Sequence, residues 1–389
     1  MLKKIIQKEQ YTYPSLSGIY IHIPFCKRKC HYCDFYSTTD LNIIPDFIES
    51  LKREISLYQN SNMKFDTIYF GGGTPSLLTS KQIKQILSKL YSSFNISKNS
   101  EITLEANPKT LDKEKLFELL DSGINRIIIG VQSFINSNLN LLGRIHNEKD
   151  SIKAIENAKS AGFTNFGIDI IFGIPEQNFK DLKHDLNLAV SYELNHISTY
   201  LLTYEPGTVL YNKIKNNIFS KLNDIKCAGM LKYVQNYFQK KQYEQYEISN
   251  YSKNKFFRSK HNQKYWIDIN YLGFGPSAHS YLKPRRYWNI NSINKYIKIL
   301  NNNKLPVSGS ELLTIDKMMI EFIYLNLRRI EGLNTQLFEK KFNVNFFDIY
   351  KNELSSLIDN KFIRYEDNFL CLTKKGKLLS DSVIGAFFN

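Results

Sequence analysis

GIYIHIPFCKRKCHYCDFY, residues 18–36, is the stretch on which the fold turns. Ile19 to Ile23 is an apolar, β-branched run that Pro24 ends, so it reads as a buried strand running into a loop. That loop carries Cys26, Cys30 and Cys33 as C-x3-C-x2-C, three of the five cysteines in 389 residues. Loops at strand ends are where sites gather, and three thiolates in one loop ask for a metal. On an iron–sulfur cubane they would leave one iron without a protein ligand, open to a small molecule. A zinc site would need His31 or His22 as a fourth ligand and lacks the second separated pair that structural zinc usually draws on. A disulfide framework leaves one thiol over, and no secretory h-region precedes the motif.

Outward from this stretch, strand-like and amphipathic helical runs alternate to about residue 205. FDTIYF, EITLEA, RIIIGVQ, FGIDIIF and HISTYLL are further candidate strands. Between them, one helical face carries Ile44, Phe47, Ile48, Leu51 and Ile55, and the next Ile83, Ile86, Leu87, Leu90 and Tyr91. Strict βα alternation implies a parallel sheet with crossover helices. Polar residues collect where the strands end: FGGGTPS at 70–76, Glu105, Gln132, Arg144 and Asp169. Glycines let a backbone approach a ligand, and the set as a whole offers acceptors, a cation and carboxylates for a zwitterionic nucleoside.

The cysteine spacing followed by this pattern resembles the radical S-adenosylmethionine (SAM) superfamily. The resemblance implies an incomplete (β/α)6 barrel, with a [4Fe–4S] cluster on Cys26, Cys30 and Cys33 and SAM on the open iron. It also implies that Gly72, Gly73 and Thr74 hold the methionyl end of SAM. The order of Glu105, Gln132, Arg144 and Asp169, with HISTYLLTYEPGT at 196–208 and YEQYEISNYS at 243–252, narrows this to the oxygen-independent coproporphyrinogen oxidase family across almost the whole chain. There the residues matching those four, and those matching Tyr20 and Tyr32, contact SAM. In that superfamily a reduced cluster cleaves SAM to methionine and a 5′-deoxyadenosyl radical; whether this chain catalyses anything is left open.

Two features separate branches of the family. The porphyrinogen-oxidising members carry a fourth cysteine where Phe35 stands here, and a longer stretch before the motif than the 25 residues preceding Cys26. HNQKYW, His261 to Trp266, instead matches the H-N-x-x-Y-W motif of a haem-chaperone branch. The resemblance implies haem as a third cofactor, with His261 a candidate axial ligand and Tyr265 and Trp266 lining the porphyrin. His279 is a rival candidate ligand, with Arg285 or Arg286 as candidate propionate partners. The expected function is transfer of haem to an acceptor haem protein, with a membrane-associated acceptor among the options; the alternative is the coproporphyrinogen III oxidase itself.

The organisation read from these motifs is an N-terminal segment 1–16, a barrel 17–240, an extension 241–304 bearing the histidine motif, and a smaller, mainly helical, winged-helix-like domain 305–389. In the last, LLTIDKMMIEFIYLNLRRIEGLN reads as one long helix and KFIRYEDNFLCL as a hairpin. A net charge of +15 is spread along a Lys-, Asn- and Ile-rich chain without a clustered basic recognition helix, which argues against a nucleic-acid partner. No apolar run is long enough for a membrane span, so the expected location is cytoplasmic, at most peripheral at a membrane. Cys227 and Cys371 read as buried free thiols.

Overall fold

In β1 (Ser17–Ile23), Ile19, Ile21 and Ile23 alternate with Gly18, Tyr20 and His22, so one face is apolar and the other small or polar. The computed structural model describes residues 16–59 and 63–388, and in it these isoleucines are fully buried under helices. The same unit repeats through α1 (Ile44–Leu57), β2 (Lys64–Gly72), α2 (Ser80–Ser93), β3 (Asn95–Ala106), α3 (Lys113–Asp121), β4 (Arg126–Gln132), α4 (Asn136–Leu141), α5 (Glu148–Ser160), β5 (Phe166–Phe172), α6 (Phe179–Ser191) and β6 (His196–Leu201). β1 to β6 pair in chain order, all parallel. Three of the crossover helices begin in capping boxes, Thr79 with Gln82, Asn147 with Asp150 and Asn178 with Asp181, which satisfy their first N–H groups and fix where each strand-to-helix loop ends.

The predicted helical faces pack as expected except at one residue. Ile44, Phe47, Ile48, Leu51 and Ile55 of α1 and Ile83, Ile86, Leu87 and Leu90 of α2 enter the main core, but Tyr91 is 45% exposed. One residue past Leu90 is a 100° turn away, and its hydroxyl reaches only the Ser100 side chain at the rim.

After α7 (Val209–Lys215) and α8 (Asp224–Lys240), the chain extends the sheet at both edges. β7 (Glu244–Gln245) and β8 (Asn250–Ser252) add antiparallel beside β6. Then α9 (Lys260–Trp266) crosses to the other edge, where β9 (Tyr271–Phe274) pairs parallel with β1 and leads into β10 (His279–Leu282), β11 (Arg285–Asn289), α10 (Ile293–Asn301) and β12 (Val307–Leu312). The result is one open twelve-stranded sheet in which β1 and β6 do not meet. Glu54 of α1 ties this extension down: its carboxylate accepts from Tyr296 Oη at 2.6 Å, Gly275 N at 2.8 Å and Asn289 Nδ2 at 2.5 Å.

A second apolar core, built on Phe322, Leu327, Phe338, Phe346 and Ile384, belongs to the C-terminal region. The long helix expected there is shorter: α11 spans Ile315–Leu327. The chain turns at Gly332 (φ 78°), where a Cβ would sit 2.3 Å from Leu370 O, and then pairs with a hairpin of Ile363–Glu366 and Phe369–Leu372. Asp367 and Asn368 both take positive φ in the two-residue turn that matches the twist of such a hairpin. The order of helices followed by a small hairpin is winged-helix-like. Among the described residues no helix is long and apolar enough to cross a membrane.

Candidate functional site

The cysteine loop leaves β1 at the C-terminal end of the parallel strands and is stapled shut behind itself. Thr38 N donates to Pro24 O at 2.7 Å and Cys26 N to Thr38 O at 2.9 Å, so residues 26–37 form a closed projection. A second set of bonds holds it against the end of α4. Arg28 Nη2 donates to Gly143 O at 3.0 Å and to Arg144 O at 2.6 Å, His31 N donates to Leu142 O at 2.9 Å, and the His31 imidazole bonds Leu141 O through Nδ1 at 2.9 Å. Arg28 was not singled out in the sequence, and His31 only as a candidate zinc ligand; the signal for this anchoring role was their position between the cysteines.

All three thiols face one cavity of about 990 Å³. Thr74 Oγ1 lies 3.6 Å from Cys26 Sγ and Arg144 Nη1 3.4 Å from Cys30 Sγ. Burial raises the Cys26 thiol and pushes that of Cys33 up to about 11, so both stay protonated at neutral pH unless a bound cation holds them as thiolates. Of the two histidines expected as a fourth zinc ligand, His22 has both ring nitrogens bonded and His31 has one. His22 uses Nδ1 for Tyr20 Oη (3.1 Å) and Nε2 for Tyr36 O (2.8 Å), and His31 uses Nδ1 for Leu141 O. Among the described residues no three His, Cys, Asp or Glu side chains converge as ligands of a single ion.

The same cavity gathers Tyr32, Gly72, Gly73, Thr74, Glu105, Gln132, Arg144 and Asp169 from the ends of neighbouring strands. Tyr20 sits just beneath its floor, its ring 3.0 Å from where a Cβ on Gly71 would be. The glycines are required. Gly72 has φ 104° and a Cβ there would meet the His22 ring at 2.6 Å; one on Gly73 would meet Phe25 O at 2.6 Å and Ile23 O at 2.9 Å. The first two glycines complete β2 rather than following it, so the glycine turn is a strand end pressed against the cysteine loop. Gln132 is nine-tenths buried at φ 68°, just past a register break between β4 and β5, a conformation that non-glycine residues adopt at a cost of order 1–3 kcal/mol. Arg144 Nη2 donates to Gly130 O at 2.7 Å, placing the guanidinium between the cysteine loop and this strained end.

The two carboxylates are electrostatically unspent. Glu105 accepts from Tyr69 Oη at 2.7 Å, yet burial raises it to about 7. Burial likewise raises Asp169 to about 6, against the pull of Ser198, Arg126 and Arg144. A group whose folded value lies above its unfolded one contributes stability below the unfolded value and loses it as pH rises through the folded one. The cluster-free chain is therefore expected to melt at a lower temperature at about pH 8 than at about pH 5.5. A cationic ligand should show the opposite trend, binding more tightly as both groups ionise. Thermal melts and calorimetric SAM titrations of the wild type and Glu105→Gln check this; an equal pH response in the two proteins would remove Glu105 from the account.

The histidine motif lies elsewhere. α9 packs beneath the N-terminal ends of β1 and β2, at the opposite end of the strands from the cysteines. His261 is 1% exposed, with Nδ1 2.8 Å from Thr67 Oγ1 and Nε2 2.9 Å from Tyr265 Oη, and its ring stacks on Tyr69 at 5.1 Å. The Trp266 ring lies under the Arg328 guanidinium at 5.3 Å. The expectation that His261, Tyr265 and Trp266 present a face to haem thus meets an imidazole with both ring nitrogens engaged inside the protein and a Trp266 ring packed against the C-terminal region. His279, stacked on Trp288 at 5.7 Å, and Arg285 and Arg286, bonded to Ser310 and Glu321, lie on the far sheet edge and do not line the cavity. Cys371 is buried as expected, its thiol 3.2 Å from Glu331 O, but Cys227 is only partly buried and lines the cavity. The sequence reading also missed the outer wall: Arg328, Lys377 and Leu379 come from the C-terminal region, where no motif marks them.

The Radical SAM superfamily model matches residues 20–189, and the HemN C-terminal domain model residues 313–379. Membership of that superfamily implies a [4Fe–4S] cluster and SAM. The solved structure of coproporphyrinogen III oxidase HemN from Escherichia coli, a radical SAM enzyme, superposes with a TM-score of 0.84 at 21% identity, covering 96% of this chain and 91% of that one, which establishes the shared fold. A heme chaperone HemW from Bacillus subtilis is 33% identical over 96% of this chain and 100% of its own length. Another from Buchnera aphidicola subsp. Schizaphis graminum is 36% identical over 97% and 100%. Similarity at this level from end to end means that the chain belongs to the HemW family of haem chaperones within the radical SAM superfamily.

Proposed function

We propose that this chain is a haem chaperone that holds a [4Fe–4S] cluster and SAM at the cysteine end of the sheet and carries haem in the outer part of the same cavity for transfer to an acceptor haem protein. The observation that carries the reading is the convergence of Cys26, Cys30 and Cys33 with the glycine, carboxylate and arginine set on one cavity. The residues fit the cofactors. The thiols would ligate the cluster; Gly72, Gly73 and Thr74 would take the methionyl end of SAM, Arg144 its carboxylate, Glu105 its ammonium and Asp169 its ribose, with Tyr20, Tyr32 and Gln132 completing the lining. When bound, the reduced cluster supplies one-electron chemistry to SAM. The protein's own part is to exclude water, orient the nucleoside and hold Glu105 and Asp169 ready to ionise against a cation.

Beyond that set the cavity wall becomes apolar, with Leu201, Leu202, Leu231 and Leu379, and carries Arg328 and Lys377 as cations. A flat apolar macrocycle with two carboxylates matches that wall. The deciding experiment is anaerobic reconstitution followed, in parallel, by haem titration and coproporphyrinogen III turnover. Saturable haem binding without protoporphyrinogen IX is expected, and Leu379→Asp and Lys377→Glu should each weaken haem by about tenfold. Turnover without haem retention would replace the chaperone reading by the oxidase. The groove between α1 and α2, which gathers Lys52, Lys81, Lys84 and Lys89, supports contact with an anionic membrane surface, where an acceptor could sit.

A further inference from the structure

From the floor of the cavity an unbroken column of rings runs down through the concave face of the sheet and out at its far end. Tyr20 stacks on Tyr69 at 6.3 Å and 24°, and Tyr69 on His261 at 5.1 Å and 28°. His261 meets Tyr265 edge-on at 5.2 Å, Tyr265 meets Tyr271 at 4.8 Å, and Tyr271 lies 6.2 Å from Tyr281. Of these rings His261 is buried, while Tyr20, Tyr69, Tyr265 and Tyr271 are each partly exposed. Core packing alone would account for aromatic contacts. A buried phenol also needs a hydrogen-bond partner; what distinguishes this column is that the partners are a carboxylate and imidazoles, groups that can take up a proton.

Tyr20 and Tyr69 end on proton acceptors, and Tyr265 does in the tautomer of His261 that carries its proton on Nδ1. His22 Nε2 bonds the Tyr36 carbonyl oxygen, which can only accept, so Nε2 carries the proton and Nδ1 accepts from Tyr20 Oη at 3.1 Å. Tyr69 Oη donates to Glu105 at 2.7 Å. Tyr265 Oη lies 2.9 Å from His261 Nε2, and Thr67 Oγ1 stands ready to accept from Nδ1–H. A phenol gives up an electron readily only when its proton has somewhere to go, and here each has a preset destination in a water-poor interior.

We infer that the Tyr20, Tyr69, His261, Tyr265 and Tyr271 column is a one-electron relay that lets an oxidising equivalent formed in the cavity escape to the protein surface. The oxidant is a one-electron or hydrogen-atom acceptor, such as a carbon-centred radical; for its source the relay rests on the radical SAM reading of the cavity. An electron moves from a tyrosine toward the oxidant, the phenolic proton shifts to that tyrosine's hydrogen-bond partner, and a neutral tyrosyl radical remains. The next tyrosine outward refills it and the proton returns, so only O–H bonds break and re-form along the path. Tyr271 is partly exposed, so its phenolic proton passes to solvent water, and a soluble one-electron reductant together with a proton from solvent restores the phenol and closes the cycle. The histidine motif then has a task at the base of the sheet that needs no contact with haem: His261 bridges two tyrosines and receives the proton of one of them.

The test uses the full chain without cluster or SAM, with a ruthenium(II) polypyridyl label attached at Cys33 in a Cys26→Ser, Cys30→Ser, Cys227→Ser background and a soluble electron acceptor that takes the flash-excited electron to leave ruthenium(III) as the oxidant. Flash oxidation is followed by electron paramagnetic resonance, and a nitroso spin trap with peptide mapping locates where the radical surfaces. A tyrosyl signal and a trap adduct on Tyr271 are expected. Tyr69→Phe and Tyr265→Phe, each near-isosteric and checked for folding by circular dichroism, should lose the Tyr271 adduct while a tyrosyl signal persists at the cavity end. Absence of any tyrosyl signal, or an unchanged Tyr271 adduct in both variants, would overturn the relay. Because neither cofactor is present, failure here is distinct from failure of the SAM reading, which would show as absent SAM binding by the reconstituted chain.

Discussion

Cys30→Ala is expected to reduce iron and sulfide after anaerobic reconstitution to near background and to weaken SAM binding by more than the ~10–100-fold that loss of an outer-sphere partner costs a metal site. Three features make Cys30 the most exposed of the three thiols to such a change. It sits at the middle of the motif, its carbonyl accepts the Cys33 N–H at 3.3 Å, and its sulfur lies against the Arg144 guanidinium at 3.4 Å. Its loss thus removes a ligand, leaves the Cys33 turn without its neighbour's anchoring to metal, and frees Arg144 from the site where it would meet the SAM carboxylate. Arg144→Met should behave differently, retaining cluster iron but losing SAM affinity, since Arg28 and His31 still hold the loop to Leu141–Arg144 through backbone carbonyls. Cys371→Ala is the control, because its thiol bonds Glu331 O beside the second core, away from the cysteine loop. Iron analysis, absorbance spectra and calorimetry measure all three, and a Cys30→Ala protein with full iron content would remove this loop as the cluster site.

What was legible in the sequence follows from how locally each feature is encoded. β1 to β6 were readable because β-branched runs flanked by helical periodicity leave few other arrangements, and the polar residues at the strand ends were readable because a parallel sheet brings those ends to one side. Tyr91 failed because a single position next to an apolar stripe is decided by a 100° rotation. The shortened α11 was not legible because residues 328–334 are taken up by long-range pairing, Arg329 bridging to Glu247 and Gly332 approaching Leu370 and Cys371. Arg328, Lys377 and Leu379 reach the cavity only through that same long-range packing. The histidine motif is the sharpest case. Its residues were visible, but the end of the sheet that α9 occupies depends on Glu101 and Asp66, which receive it.

His261→Ala is accordingly expected to destabilise the chain by about 2–4 kcal/mol, the range for emptying a buried side-chain site and leaving its hydrogen-bond partners unpaired, while leaving haem affinity within about twofold of wild type. The imidazole is sealed beneath β1 and β2, and Thr67 Oγ1 and Tyr265 Oη would both lose their partner. The helix that carries it is clamped at both ends. Glu101 accepts the N–H groups of Lys260 and His261 at 3.2 and 3.1 Å, placing a carboxylate at the positive end of α9, and Lys264 pairs with Asp66 at 2.6 Å. To reach a haem, His261 would have to break these bonds and carry α9 out of the sheet, whereas the wall proposed for haem is already open to solvent at the other end of the strands. Urea unfolding and a Soret titration of the same preparation separate the alternatives. A large loss of stability with an intact Soret band supports the bracing role; a lost Soret band with unchanged unfolding would restore His261 as the axial ligand and move the haem site to the base of the sheet.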